Sequence, residues 1–248
     1  MLDAGLPVSA FFTTREGGVS DPPFEGLNLA THVGDDAARV AVNRRVVDVA
    51  AGAVVTYLRP EHGARVFRVT ESSADVPAAD VLVTDVEGLG LAALGADCVP
   101  LLLHDAATGA VAAAHAGRRG VWAGVVDSAV AALLNLRTSS ASPSLISASV
   151  GPAICGKCYE VPVGMRYEVG ERHPAAVSTT SWGTPALDLP RAVETRLGEL
   201  GVGTVVRNHI CTFQEPGLYS HRREGLTGRQ AGVVVCGVSV PAGQASDT

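Results

Sequence analysis

Residues 95–120 read GADCVPLLLHDAATGAVAAAHAGRRG, two apolar runs with a cysteine near the start and a histidine near the end. The Asp, Thr and Gly residues between the runs predict a turn, and the runs therefore predict an antiparallel hairpin. If His104 and Gly109 flank this turn, Cys98 lies directly opposite His115. Opposed residues share a face, with Cβ atoms about 4.5–5.5 Å apart, so this pair can hydrogen bond or hold one metal ion.

The pattern around this hairpin predicts one domain of mixed secondary structure. Apolar runs of strand length alternate with three segments of helical periodicity, residues 36–51, 121–136 and 189–201. This alternation favours an α/β or α+β fold, a single domain with mixed β-sheets and flanking helices. Because the 248 residues contain no long Pro/Gly/Ser linker, we expect the domain to span residues 1–239, followed by a disordered tail at 240–248.

Charge and cysteine content narrow the class of protein. The net charge is −6 at pH 7 and no block of Lys and Arg occurs, which argues against sequence-independent binding to nucleic acid or to an anionic membrane. No apolar run approaches the roughly 20 residues of a membrane-spanning helix, and the N-terminus lacks the features of a signal peptide. Five cysteines, an odd number, indicate reduced thiols. We expect a soluble, cytoplasmic protein.

A metal site at Cys98 and His115 needs a third ligand, because catalytic zinc typically takes three protein ligands and a water. His62 is the best local match, since it precedes a glycine in RPEHGARV, in a tight turn ahead of a strand. The alternative is that Cys98 and His115 are ordinary core residues. The other candidates for the third ligand are His32, His104, His173, His209, His221 and an acidic side chain.

Two stretches late in the chain are open to more than one interpretation. CGKC contains Cys155 and Cys158, and because Cys211 and Cys236 do not form a second pair of this kind, it predicts two thiols in a turn rather than a zinc site or a redox switch. Residues 209–223, HICTFQEPGLYSHRR, predict either a lid over a pocket or a surface loop.

Nine short motifs lie between Thr13 and Arg229 and so span nearly the whole chain. They are TTREGGVS, LNLATHVGDD, VNRR, EHGARV, GADCVPLLL, AAHAGRRG, GPAICGKCYEV, HICTF and LYSHRREGLTGR. Each motif alone is weak, but the ordered set resembles the laccase-domain or multicopper polyphenol oxidase family. Members of that family are also described as zinc-dependent purine nucleoside phosphorylases with adenosine deaminase activity.

The resemblance implies a site as well as an activity. It places the family's metal, Zn²⁺ or alternatively Cu²⁺, on His62, Cys98 and His115. It also draws attention to a set of pocket residues, which are Asn28, Arg44, Asp97, Arg119 and Asp188. The chain departs from the family in having Arg118 where the family's HAGWRG has Trp, a change that bears on substrate preference. It also has a Pro-Glu pair before His62, where the family has Gln and an apolar residue.

The main hypothesis is therefore a mononuclear zinc enzyme that acts on purine nucleosides and phosphate. A zinc-bound water with a pKa of about 7 would attack C6 of adenosine, and phosphate would attack C1′ of the ribose. Arg44, Arg119 and a helix N-terminus predicted after Gly120 are the candidates for neutralising phosphate. Asp97 would transfer a proton or orient a ligand.

Three alternatives stay open at this point. A metal-free cysteine hydrolase would use Cys98 as nucleophile and His115 as its base. A copper-binding polyphenol oxidase would use the same donors for one copper ion, but a multicopper cluster is disfavoured because no His-x-His motif occurs among the seven histidines. The third alternative is a metal-dependent binding protein without catalytic activity.

Overall fold

The computed structural model describes residues 1–73, 76–137 and 142–239. The tail predicted at 240–248 and part of the polar loop around residue 140 lie outside these ranges. The strands are β1 (Leu2–Asp3), β2 (Val8–Phe12), β3 (Val55–Tyr57), β4 (Val66–Arg68), β5 (Val81–Thr84), β6 (Gly90–Gly95), β7 (Val99–Asp105), β8 (Val111–Ala116), β9 (Ile146–Val150), β10 (Val177–Thr179), β11 (Pro185–Leu187), β12 (Thr204–Arg207) and β13 (Gln230–Ser239). The α-helices are α1 (Ala37–Ala51), α2 (Arg118–Ala123), α3 (Val125–Leu134), α4 (Val163–Arg172), α5 (Leu189–Glu199) and α6 (His221–Glu224).

Two large mixed sheets organise the domain. One has the order β12-β9-β7-β8-β5-β4, with parallel pairs at both edges and antiparallel pairs between them. The other has the order β1-β2-β13-β6-β3, and its β3–β6 pair is parallel. Strands β10 and β11 form a separate two-stranded ribbon. The predicted single domain with mixed sheets and flanking helices is confirmed.

The sheets and helices stack in four layers, helix on sheet on sheet on helix. One apolar cluster joins Leu102 and Ala113 of the six-stranded sheet to Leu91 and Val234 of the five-stranded sheet. The outer face of the six-stranded sheet packs on α3 and α5, and α1 packs on the outer face of the other sheet. Strands β7 and β8 are thus buried on both faces, which is why their sequences are continuous apolar runs.

The central hairpin forms as predicted, but its register differs. Pro100 pairs with His115, and Cys98 lies just before β7 instead of directly opposite His115. The turn begins one residue later than expected, because Asp105 pairs with Ala110 and accepts hydrogen bonds inside the turn. The pairing is therefore displaced by two residues. Since side chains alternate between faces with a period of two, Cys98 and His115 still point to the same face.

The ends of the predicted helices match the structure where the sequence contains a capping residue or a terminating glycine. Asp36 caps α1 by accepting hydrogen bonds from two amides of the first turn, and Gly52 ends that helix with a φ of 68°. The segment predicted at 189–201 forms α5, followed by Gly201 with a φ of 78°. The single helix predicted over 121–136 is wrong, because the helix starts at residue 118 and Gly124, with a φ of 86°, divides it into α2 and α3.

The five cysteines are free thiols, as their odd number predicted. Within the described ranges, no helix combines the length and the apolar character needed to cross a membrane.

A buried ion pair closes the turn of the central hairpin. Arg137 donates from Nη2 and Nε to the two carboxylate oxygens of Asp105, at 2.5 and 2.7 Å, and the two side chains are 2% and 0% exposed. Burial alone would raise the pKa of Asp105, but the hydrogen bonds from Arg137, the Ala107 amide and Thr108 outweigh it and lower that pKa. The pair therefore links the end of α3 to the turn.

We expect Arg137→Met to lower the free energy of unfolding by about 3 kcal/mol, because it leaves a buried carboxylate without its charged partner. Urea unfolding measures this change, with Arg68→Met as the control. That variant breaks the Arg68–Asp85 pair, whose side chains are 53% and 32% exposed, and should cost less than about 1 kcal/mol. Equal losses in the two variants would contradict the role of the buried pair. Because the folded pKa of Asp105 is lowered, its contribution is present at neutral pH and disappears as the pH falls through that folded pKa, so the two proteins should converge in acid.

Candidate metal centre

Three side chains from distant parts of the chain converge at one end of the central hairpin. The ligand atoms of His62, Cys98 and His115 all lie within 4.8 Å of one another. His62 comes from the turn between β3 and β4, Cys98 from the connection between β6 and β7, and His115 from β8. The imidazole rings of the two histidines have centroids 4.8 Å apart and meet edge to face at 80°.

The imidazole of His115 is prepared to bind a cation. Its Nδ1 donates to the carbonyl of Leu94 at 2.7 Å, an interaction that joins the two large sheets and leaves the lone pair on Nε2. Nε2 is buried and has no hydrogen-bond partner in the protein. Burial lowers the pKa of His115, so the ring is neutral and Nε2 can act as a ligand. A buried acceptor without a partner is expected where a cation belongs.

Gly117 leaves the space between the three donors. A Cβ atom at this position would lie 2.9 Å from Sγ of Cys98, 3.1 Å from Cδ2 of His62 and 3.3 Å from Nε2 of His115. Gly117 has a φ of −79° and ψ of 169°, which any residue adopts, so the contact with the donors is what requires glycine. Two imidazole nitrogens and one sulfur form a donor set that suits Zn²⁺ or copper and leaves a position open for a further ligand.

Backbone conformations that are unusual for residues with a side chain hold two of the three donors. His62 has a φ of 62°, and Asp97, the neighbour of Cys98, has a φ of 93°. Asp80 supports the turn that carries His62, because its buried carboxylate accepts a hydrogen bond from the Glu61 amide at 3.0 Å. The carbonyl of Asp80 also accepts from the amide of His115 at 2.8 Å. Sequence analysis missed Asp80, whose one signal is an acidic residue directly before a buried strand.

Asp97 connects the metal centre to a late segment of the chain. Its Oδ1 accepts from the hydroxyls of Thr212 and Ser220, both at 2.7 Å, and its Oδ2 accepts from the amide of Arg222 at 2.6 Å. Residues 209–223, predicted as a lid or a surface loop, are therefore anchored at the centre, and Tyr219 among them is fully buried. Three donors on one carboxylate favour an orienting role for Asp97 over proton transfer.

A cavity of about 420 Å³ opens beside His62 and contains the arginine predicted to bind phosphate. Arg119 is exposed at this cavity, and Arg118 and Trp122 also line it. The helix start lies at residue 118, after Gly117, and not after Gly120 as predicted.

Arg44 lies on the other side of the centre. Its Nε donates to the carbonyl of Leu29 at 3.0 Å, and its guanidinium stacks on Tyr57 at 4.1 Å. Arg44 and His32 line a smaller cavity of about 240 Å³ that reaches Leu94, whose carbonyl binds His115. The structure thus places Arg44 in a different cavity from the one that contains Arg119 and His62.

Asn28 and Asp188 are engaged in structural contacts. Asn28 is fully buried, donates to Asp35 and Ala30, and accepts from the amide of Arg229 at 2.9 Å. Asp188 caps α5 and forms an ion pair with Arg207 at 3.4 Å. The structure therefore groups Asp97 and Arg119 with the three donors, whereas Asn28 and Asp188 support neighbouring loops.

Electrostatic interactions reveal further residues near the centre, which are His32, named above only as a candidate for the third ligand, Arg229 and Tyr159. Burial lowers the pKa of His32, and the charge of Arg229 lowers it further. Burial lowers the pKa of Arg229, against the effect of the charges of Cys98 and Asp97. Burial raises the pKa of Tyr159 and Cys98 raises it further, whereas the charge of Arg118 lowers it. These residues lie inside quoted motifs, but no spacing rule distinguished them.

The fold and the His/Cys/His site define a class of single-domain α/β protein, and comparison with known proteins identifies the family. Residues 9–237 match the family described as multi-copper polyphenol oxidoreductase laccase, and the chain belongs to this family. It is 47% identical over 228 residues to purine nucleoside phosphorylase SCO2081 of Streptomyces coelicolor, covering 90% of this chain and 93% of the relative. It is 43% identical over 234 residues to purine nucleoside phosphorylase Cgl2154/cg2365 of Corynebacterium glutamicum, covering 92% and 94%.

Solved structures share the fold over nearly the whole chain. The crystal structure of protein NMB0706 of Neisseria meningitidis has a TM-score of 0.83 and 35% sequence identity, covering 94% of this chain and 96% of that protein. YlmD from Geobacillus stearothermophilus also has a TM-score of 0.83, with 34% identity and coverage of 92% and 91%. The family membership predicted from the ordered motifs is confirmed.

We expect Gly117→Ala to weaken zinc binding by at least about tenfold while the fold persists, because the new methyl group enters the space between the donors. Competition with a chelator of known affinity measures the change. The control is Gly198→Ala in α5, where an added Cβ meets nothing within 4 Å and should stabilise the helix by up to about 1 kcal/mol. Unchanged zinc affinity in Gly117→Ala would show that the cation does not lie between these three side chains.

Proposed function

We propose that this protein is a zinc-dependent purine nucleoside phosphorylase that also deaminates adenosine. The observation that carries the proposal is the continuity of the donor set with an arginine-lined cavity: His62 is one of the three donors and also lines the cavity that contains Arg118 and Arg119. Relatives at 43–47% identity are named purine nucleoside phosphorylases, which supports the same substrates here. The five free thiols suit the reducing conditions of the cytoplasm.

The donor set would hold Zn²⁺ with one position open. When bound there, such an ion would supply Lewis-acid chemistry that could activate water for attack at C6 of adenosine. The protein keeps the donors in place for this chemistry. Leu94 fixes the tautomer of His115, Asp80 supports the turn of His62, and Asp97 holds the connection that carries Cys98.

Phosphorolysis needs a cationic site for phosphate and a surface for the purine. Arg119 offers a planar guanidinium that can bind two phosphate oxygens, with Arg118 beside it on the same cavity. Trp122 lines this cavity and supplies the aromatic surface that the family's HAGWRG tryptophan would provide at residue 118.

We expect Cys98→Ala and His115→Ala to lose bound zinc and to lower both activities by more than about 100-fold. Mutation of a residue that only supports a metal ligand can already cost up to about 100-fold in activity, so the loss of a ligand itself should cost more. Elemental analysis reports the zinc. Chromatography of an adenosine reaction with phosphate separates adenine, the phosphorolysis product, from inosine, the deamination product. Cys236→Ala removes a buried thiol in β13 and should keep zinc and both activities. Full turnover in both ligand variants would contradict the proposal, and activity that resists chelators but is destroyed by iodoacetamide would favour a cysteine hydrolase.

We expect Arg119→Ala to raise the KM for phosphate about tenfold, the cost of one charge-assisted hydrogen bond. Deamination of adenosine, which uses no phosphate, should keep its kcat/KM and so serves as a control within the same variant. Initial rates at varied phosphate concentration measure the effect. An equal loss of both activities would indicate that Arg119 supports the fold of the cavity and does not bind phosphate.

A further inference from the structure

A second group of soft donors lies outside the centre described above. The sulfur atoms of Cys155, Cys158 and Cys211 all lie within 4.8 Å of one another. The expected turn at CGKC is present, and Cys211 lies beside it without forming a second pair with Cys236. A parallel bridge between Ala153 and Cys211, with the Thr212 amide donating to the Ala153 carbonyl at 3.1 Å, brings Cys211 alongside the turn.

A backbone amide points at one sulfur atom of this group. The amide of Cys155 donates to Sγ of Cys211 at 3.3 Å. Amides directed at sulfur stabilise thiolates that bind a metal, as outer hydrogen bonds do at metal centres generally.

The surroundings favour a metal over a redox pair. Ile154, Tyr159 and Phe213 pack around the sulfurs. Three sulfur atoms lie together here, and a disulfide would use only two of them. A thiophilic cation takes the place of the thiol protons when it binds and can use all three sulfurs.

The position of the group leaves room for a fourth ligand. Cys158 lines a cavity of about 500 Å³, together with Trp182, Phe213 and Arg222. Structural zinc takes four ligands, and this cavity can supply the fourth as water or a small anion, whereas Cu⁺ is satisfied by three thiolates.

We propose that Cys155, Cys158 and Cys211 form a second metal site that binds one thiophilic cation of the Zn²⁺ or Cu⁺ type. The neighbours of these ligands explain what such a site does. The Ile154 amide donates to the carbonyl of Asp97 at 3.0 Å, and the Thr212 hydroxyl donates to its carboxylate. A cation between the three sulfurs therefore ties together the two segments that hold Asp97, beside the first centre.

Zinc counting on the full chain tests the proposal. The reduced, chelator-treated protein is titrated with Zn²⁺, desalted and assayed by elemental analysis, and a parallel arm uses Cu⁺ under nitrogen. We expect two bound cations per chain in the wild type, one in Cys98→Ala and one in Cys211→Ala. The variant that combines Cys98→Ala with Cys211→Ala should bind none. Cys236→Ala, which removes a thiol of similar burial in β13, should still bind two.

X-ray absorption on Cys98→Ala gives a second readout that leaves the new site intact. We expect three sulfur scatterers at about 2.3 Å from its single zinc ion. This variant also separates the two proposals, since it should lose nucleoside turnover and keep one metal. If Cys211→Ala does not fold, Cys158→Ser serves in its place.

Three results would overturn the second site. The first is binding of one cation of either metal by the wild type, with none in Cys98→Ala. The second is retention of two cations in Cys211→Ala or Cys158→Ser. The third is a Cys155–Cys158 disulfide in the purified protein that, once reduced, takes up no metal.

Discussion

Antiparallel pairing of β7 with β8 is the interaction on which the rest of the structure depends. It places Cys98 directly before β7, His115 near the C-terminal end of β8, and Gly117 beside their donor atoms. Both strands are buried between a sheet and a helix layer, so a slip by one residue would turn apolar side chains and donors to the wrong faces at once. The buried Asp105–Arg137 pair holds the opposite end of the hairpin in this register.

The candidate centre lies where the two large sheets meet. His115 faces the five-stranded sheet, and its hydrogen bond to Leu94 of β6 ties its orientation to the packing of that sheet. Asp97 extends the same connection to Thr212 and Ser220, more than a hundred residues further along the chain. Metal affinity and the packing of these segments are therefore coupled, because the donors hold their geometry only while the layers stay together.

The replacement of the family's tryptophan by Arg118 changes the character of the cavity beside the centre. Two adjacent arginines make it more cationic, and Trp122 keeps an aromatic surface one helical turn further on. The pKa of Tyr159 responds both to Cys98 and to the charge of Arg118, so the two groups lie within electrostatic reach of the same side chain. Arg118 therefore adds positive charge to the wall of a cavity that still contains an aromatic side chain.

Local patterns determined much of this protein. Asp36 and Gly52 marked the ends of α1, the apolar runs marked the central strands, and the alternation of side chains put Cys98 and His115 on one face even with the predicted register displaced by two residues. The ordered motifs added His62 as the third donor. Tertiary structure alone decided the register, the support of the His62 turn by Asp80, and the approach of Cys211 to the CGKC turn. Each of these features depends on contacts between segments far apart in the chain, and a local sequence pattern does not determine which distant segment packs against it.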